Sequence, residues 1–210
     1  MTFITFIIPT IGRESLKDSI ASLQNQTDND WNAILIFDGS LNQFEFKEKR
    51  LTIIEIEKIK NDCNKSCSGF VRNIGLKYII DNNIETEWIG FLDDDDTLSP
   101  NYIEKLKEEI DLSPKEFKFD ICIFRMIYPN NVFLPLIQDK NIIKNHVGIS
   151  FAIHHRIIAD AVFENNAFED FIFLKKMQHK KHRILISSFI TYFIRRLPET
   201  NDITSGTYPK

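Results

Sequence analysis

Trp88-Ile89-Gly90-Phe91-Leu92-Asp93-Asp94-Asp95-Asp96-Thr97-Leu98-Ser99-Pro100 is the stretch from which the rest of the chain is read. Trp88 to Leu92 is a short apolar run, the pattern of a strand covered on both faces. It runs directly into four adjacent aspartates. Ser99-Pro100 then reads as an N-cap and a first-turn proline, opening a helix with Ile103, Leu106 and Ile110 inward. In open parallel sheets, ligands bind beyond the carboxyl ends of strands, where this acidic run would lie. Neighbouring carboxylates repel by about 1 kcal/mol per pair even in a water-like dielectric, so something must compensate them. Mg²⁺ or Mn²⁺ does so with one or two carboxylates plus substrate phosphates. The competing reading is a solvated acidic loop facing the helix dipole near Asn101. An EF-hand is excluded, because the alternating ligands and central glycine are missing.

Upstream, strand and helix patterns alternate. Phe3 to Ile8 is an apolar run closed by Pro9, and Trp31 to Phe37 is another, stopped by the turn signal Asp38-Gly39-Ser40. Leu51 to Ile56 is a third strand. Between them, Leu16, Ile20 and Leu23 mark one face of a helix over Glu14 to Asn25, and Gly69 to Asp81 forms the next, with Val71, Ile74 and Tyr78 on one side. Strand–helix alternation with short connections predicts a parallel sheet with right-handed crossovers. Downstream, Ile121 to Tyr128 and Val132 to Leu136 flank Pro129-Asn130-Asn131 as a hairpin. Ile149 to Ile153 is a strand, Phe168 to His179 a helix, and Ile184 to Ile194 one long or two short strands. The fold class is α/β: one Rossmann-like domain, mostly parallel centrally, with mixed or antiparallel strands in its C-terminal half.

At 210 residues the chain suits one domain, assigned to residues 1–197 with a polar tail from 198 to 210. Residues 1–100 form a half that is nucleotide-binding in style, and 101–197 shape a second pocket. The 18 phenylalanines exclude disorder, and a net charge of −4 offers no basic field for nucleic acid. Three cysteines, Cys63, Cys67 and Cys122, build neither a disulfide framework nor a zinc site. No segment approaches the roughly 20 apolar residues of a membrane span. The expectation is therefore a cytoplasmic protein, with any membrane contact peripheral.

The motifs together resemble the family-2 glycosyltransferases of the GT-A type. The resemblance is carried by Ile7-Ile8-Pro9-Thr10-Ile11-Gly12-Arg13, Ser22-Leu23-Gln24-Asn25-Gln26-Thr27, Phe37-Asp38-Gly39-Ser40, Arg72-Asn73-Ile74-Gly75, the acidic stretch Phe91 to Pro100, and Glu169-Asp170. These occur in family order over roughly residues 3–197; each is weak alone, and their combination is specific.

The resemblance implies a transferase that moves a sugar from a nucleotide-diphosphate donor, UDP-linked by family habit, to a hydroxyl of a glycan or other acceptor. Pro9, Thr10 and Arg13 would flank the base and ribose, and Asp38 would accept from the uracil imide. Arg72 and Asn73 would contact nucleotide or diphosphate. Asp93 and Asp95 match the Asp-x-Asp signature, Asp93 toward ribose or sugar and Asp95 on a Mn²⁺ or Mg²⁺ ion; Asp94 or Asp96 could share either task. Asp170 would be the general base, with inversion at the anomeric carbon. Arg195 and Arg196 would hold the pyrophosphate. The histidine that many relatives carry soon after that arginine is replaced by Leu197-Pro198, which puts a third protein ligand to the metal in doubt.

Plainer readings stand beside these roles. Asp38 also suits a turn before Gly39, Arg72 an exposed helix start, Asp170 a dipole partner of its helix, and Arg195-Arg196 a solvated pair. His154-His155-Arg156 are further candidates for the acceptor wall. The alternative functions are a retaining transferase, a sugar-phosphate nucleotidyltransferase (against which the loop after the first strand lacks the usual glycines and lysine), and a non-catalytic nucleotide-sugar-binding module.

Overall fold

The computed structural model describes residues 1–59, 68–114, 116–164 and 166–195. Strands β1 (Thr2–Thr10), β2 (Trp31–Asp38), β3 (Leu51–Ile56) and β4 (Thr86–Phe91) run parallel in the order β3-β2-β1-β4. Helices α1 (Leu16–Gln24) and α2 (Ser68–Asp81) make the crossovers. Beyond β4 the sheet turns mixed. β8 (Phe151–His154) lies antiparallel to both β4 and β6 (Ile121–Ile127), and β6 runs parallel to β9 (Ile184–Phe193). The two-residue β5 (Thr97–Leu98) closes the far edge on β9, and β7 (Phe133–Leu134) forms the expected hairpin with β6. Helices α3 (Tyr102–Leu112) and α4 (Glu169–His179) complete the fold, with a 3-10 turn at His155–Asp160. The sequence-based fold class agrees with this architecture.

Two local expectations are corrected. Pro9 does not end β1; the strand continues to Thr10. Ile7 presents its carbonyl to β4, accepting from Leu92 N at 3.2 Å, so Pro9, two residues on, faces the same side. The β1–β4 pairing has stopped by then, at Ile7 opposite Phe91, and the missing N–H removes no ladder bond. Nor do Ser99-Pro100 cap α3. The helix begins at Tyr102 after Asn101, while the Ser99 carbonyl accepts from Tyr102 N and the Pro100 carbonyl from Thr27 N.

The divergence of β1 and β4 positions the site. The chain leaves β1 toward β2 and β3 on one side and returns to β4 on the other, so the gap between their carboxyl ends is the topological switch point of the sheet. Gly75 and Gly90 allow close packing beneath it: a Cβ on Gly75 would meet Ile7 at 2.6 Å, and one on Gly90 would meet Phe6 at 2.6 Å. Helix α4 is docked by Phe173, which stacks on Phe163 (4.3 Å between centroids) and Phe151 (5.3 Å). Each such pair contributes roughly 0.5–1.5 kcal/mol beyond its buried area. Among the described residues no helix is long and apolar enough to cross a membrane.

Candidate active site

The four aspartates separate by exposure. Asp96 N donates back to the Asp93 carbonyl at 3.2 Å, and the Ser19 hydroxyl of α1 donates to the Asp96 carbonyl at 2.7 Å, which folds the run into a turn. Asp94 and Asp96 point inward, 2% and 5% exposed. Asp94 accepts from the Thr10 hydroxyl and from Arg13 Nη1, both at 2.6 Å, and so ties the end of β1 to the end of β4 across the switch point. Asp96 accepts from Arg195 N at 3.0 Å and from the Tyr192 hydroxyl. Burial, reinforced by the charge of Asp93, pushes Asp96 up to about 8. Asp93 and Asp95 are the pair that keep solvent access, with side chains 32% and 22% exposed. The compensation demanded by adjacent carboxylates is thus supplied in part inside the protein, by two arginines and a retained proton.

Arg72 is the hub of the second layer. The sequence left it between ligand contact and exposed helix start, but on α2 it is 2% exposed. Its Nη2 donates to Asp93 at 2.6 Å, its Nη1 donates to Glu169 at 2.5 Å, and Asp170 Oδ1 lies 3.7 Å from the same Nη1. Glu169 also accepts from Gly69 N at 2.8 Å. A buried guanidinium is tolerated because carboxylates surround it, and they hold its pKa above the ordinary value. Asp170 gains less in return. Its Oδ1 is buried without a hydrogen bond, and desolvation outweighs the Arg72 charge, pushing the carboxyl up to about 7. That is the poise of a general base working near neutral pH.

The other candidates are placed as follows. Pro9 is buried at the end of β1, opposite Ile36 of β2. Asp38, 4% exposed at the end of β2, accepts from Ile59 N at 2.7 Å and Lys58 Nζ at 2.8 Å. Gly39 beside it has φ 72°, and a Cβ there would meet the Lys58 backbone at 2.9 Å. The Asn73 amide is engaged on both sides by Phe163, giving to its carbonyl at 2.9 Å and accepting from its N–H at 2.8 Å, so it anchors the segment leading to α4. Arg195 pairs through Nη1 with Asp18. Arg196, Cys63 and Cys67 lie outside the described residues. His154-His155-Arg156 are corrected as acceptor-wall candidates. β8 runs antiparallel to β4, which carries them to the opposite end of the sheet, where His154 packs on Trp88 and Arg156 pairs with Asp120.

Sequence reasoning missed Tyr192, Ser19 and the structural part of Glu169. Tyr192 is wholly buried in β9, and its hydroxyl accepts from Asp93 N at 3.0 Å. No local pattern distinguishes it from the other aromatics of that strand.

Residues 5–171 match the family described as glycosyl transferase family 2. The chain belongs to that family. This family-2 glycosyltransferase is 26% identical over 230 aligned positions to the minor teichoic acid biosynthesis protein GgaA of Bacillus subtilis (strain 168), covering 97% of this chain and 49% of GgaA. Among solved structures it resembles S. aureus TarS 1-349 in complex with UDP-GlcNAc, with a TM-score of 0.71, 18% identity, and 98% and 62% of the two chains covered. The complex of the same protein with UDP gives a TM-score of 0.68 at 20% identity, covering 94% and 61%. The transferase chain therefore spans about half the length of the curated relative it matches. The TarS likeness establishes the GT-A fold.

Proposed function

We propose that this glycosyltransferase moves a sugar, with inversion, from a UDP-sugar held at the switch point to an acceptor hydroxyl presented at Asp170. The observation that carries the reading is the convergence of Asp93 and Asp170 on one buried arginine, which links the acidic turn to a carboxylate raised to about 7. The UDP and UDP-GlcNAc complexes of S. aureus TarS support the choice of donor, and the role of GgaA supports glycan biosynthesis.

The residues fit a divalent cation in a limited way. Asp93 and Asp95 are accessible hard oxygen donors, but among the described residues no group of three His, Cys, Asp or Glu forms a closed cage. Asp95 and Asp93 would hold Mn²⁺ or Mg²⁺ with oxygens of the donor diphosphate completing its shell. A cation held there supplies positive charge against the charge developing on the nucleotide leaving group.

The chain's own residues do the rest. Asp38 accepts from the uracil imide, with Pro9 and Thr10 beside the base and ribose. Arg13 stands with them on that side, and Arg195 and Arg196 are the cations for the diphosphate. Arg72 keeps Asp93 and Asp170 in register. The Asp170 carboxylate takes the acceptor proton as oxygen attacks the anomeric carbon, and the C–O bond to UDP breaks on the opposite face.

Hydrolysis of UDP-GlcNAc without acceptor, measured with Mn²⁺ and again in EDTA, tests the reading. Metal-dependent release of UDP supports it. If UDP-, GDP- and TDP-sugars all fail to raise the melting temperature in the presence of Mn²⁺, the donor assignment is wrong.

A further inference from the structure

The loop that leaves β2 and the strap that leaves β3 meet at the carboxyl edge of the sheet. Gly39 N donates to the Ile56 carbonyl at 3.1 Å, and Asn42 N to Glu55 Oε1 at 2.8 Å, so the two segments are tied together there. The β2–β3 ladder ends with Asp38 opposite Ile56, and the strap continues past it as Glu57-Lys58-Ile59. It folds back over Asp38. Ile59 N donates to one carboxylate oxygen at 2.7 Å and Lys58 Nζ to the other at 2.8 Å. The Asp38 carbonyl lies 3.5 Å from the same ammonium.

The ammonium is held in place by its own stem. A Cβ on Gly39 would stand 2.5 Å from Lys58 Cβ, 2.6 Å from its Cδ and 2.9 Å from its Cα, so the lysine lies flat on the bare Cα of Gly39. Its side chain is 59% exposed, and an ion pair that open to water contributes little to stability. A glycine that leaves room for such a lysine points to a role other than folding. The Asp38 side chain is only 5% exposed, so a ligand that reaches it from solvent meets carboxylate and ammonium together. Each carboxylate oxygen has two acceptor sites, and Asp38 can still accept a further hydrogen bond beside Lys58.

We propose that Lys58 is a specificity-determining residue that, paired with Asp38, selects an imide base over cytosine; this rests on the reading of Asp38 as the carboxylate that meets the base. An imide such as uracil sets an N3–H donor beside the carbonyl oxygen at C4. Asp38 takes the first and Lys58 gives to the second, an acceptor and a charged donor side by side. Cytosine in the same seat turns the N3 lone pair to the carboxylate and its amino group to the ammonium, leaving both protein groups unmatched. Sites whose polar groups are left unpaired reject the wrong ligand strongly. Lys58 belongs to none of the sequence motifs that carry the family resemblance, and only the fold over Asp38 brings it forward.

The test titrates UDP and CDP, each with Mn²⁺, into the wild type, Lys58→Met and Lys58→Arg by calorimetry, with melting temperatures recorded alongside. The expected result is UDP binding roughly tenfold weaker in Lys58→Met, CDP binding little changed, and the preference for UDP kept by Lys58→Arg, which still donates. UDP bound equally by the wild type and Lys58→Met overturns the proposal and leaves the donor reading intact. Equal weakening of UDP and CDP overturns it in favour of a cation that acts on the phosphates alone. Tighter UDP binding by Lys58→Met overturns it in favour of a plug that the base must displace. Loss of the preference in both variants, or a collapse of their melting temperatures, assigns Lys58 to packing on Gly39 and overturns it too. If the wild type binds neither nucleotide, the donor reading fails first and the proposal falls with it.

Discussion

Asp170 Oδ1 lies 3.7 Å from Arg72 Nη1, yet accepts no hydrogen bond from it or from any other described residue. The carboxylate is near enough to be oriented by the cation and too far to be neutralised by it. Asp170→Asn keeps shape and polarity but cannot take a proton. Transfer should fall roughly 10²–10⁴-fold while UDP binding, measured by calorimetry, stays close to wild type. Loss of UDP binding together with transfer would reassign Asp170 to structure.

The same carboxyl sets a pH dependence. Raised to about 7 by burial, it is protonated and inactive as a base on the acid side. Transfer rate per donor-bound enzyme should therefore climb as pH rises through about 7 and level off above it. A rate that falls across that interval would contradict the assignment.

Stability should move the other way. Asp96 is raised to about 8 and Asp170 to about 7 from an ordinary carboxylate value of 3.8, so in this window the folded state holds protons that the unfolded chain releases. Their contribution is fully present below about 4 and is lost as pH climbs toward 8. The urea midpoint should drop between about pH 5 and pH 8, and Asp96→Asn should flatten part of that slope. A midpoint rising with pH would show that these carboxyls are ionised in the native protein.

Removing Arg72 should be costly twice over. Arg72→Ala leaves Asp93 and Glu169 without their shared cation in a buried place, a loss of about 3–5 kcal/mol by the usual behaviour of broken buried pairs. Thermal unfolding measures that loss, and activity should vanish even at temperatures where the variant remains folded.

Gly69 is needed for the same contact. A Cβ there would sit 2.5 Å from Glu169 Oε2 and 3.0 Å from Phe163 Cβ. Gly69→Ala should destabilise the protein by about 1–3 kcal/mol through overpacking. Shortening the opposing side chain with Glu169→Asp should recover part of it, and a double mutant that is strictly additive would sink the steric explanation.

Read alone, the sequence determined the order of the longer strands and helices, the parallel first half, the β6–β7 hairpin and the position of the acidic run after β4, but not the short β5 or the 3-10 turn after β8. These follow from local periodicity and from Gly, Pro and Asn turn chemistry, which neighbouring residues dictate. It also brought the Asp-x-Asp and Glu169-Asp170 motifs forward by resemblance. What tertiary structure decided was which aspartate does what. Asp94 and Asp96 are drawn inward by Thr10, Arg13, Tyr192 and Arg195, partners 81 to 99 residues away in sequence for the hydrogen bonds that join them directly to the turn. Arg72 became a buried hub because Asp93 and Glu169 reach it from 21 and 97 residues away. Periodicity reports which face of an element is apolar; it carries no information on which distant strand end will meet it, and charge compensation in a folded site is set by those meetings.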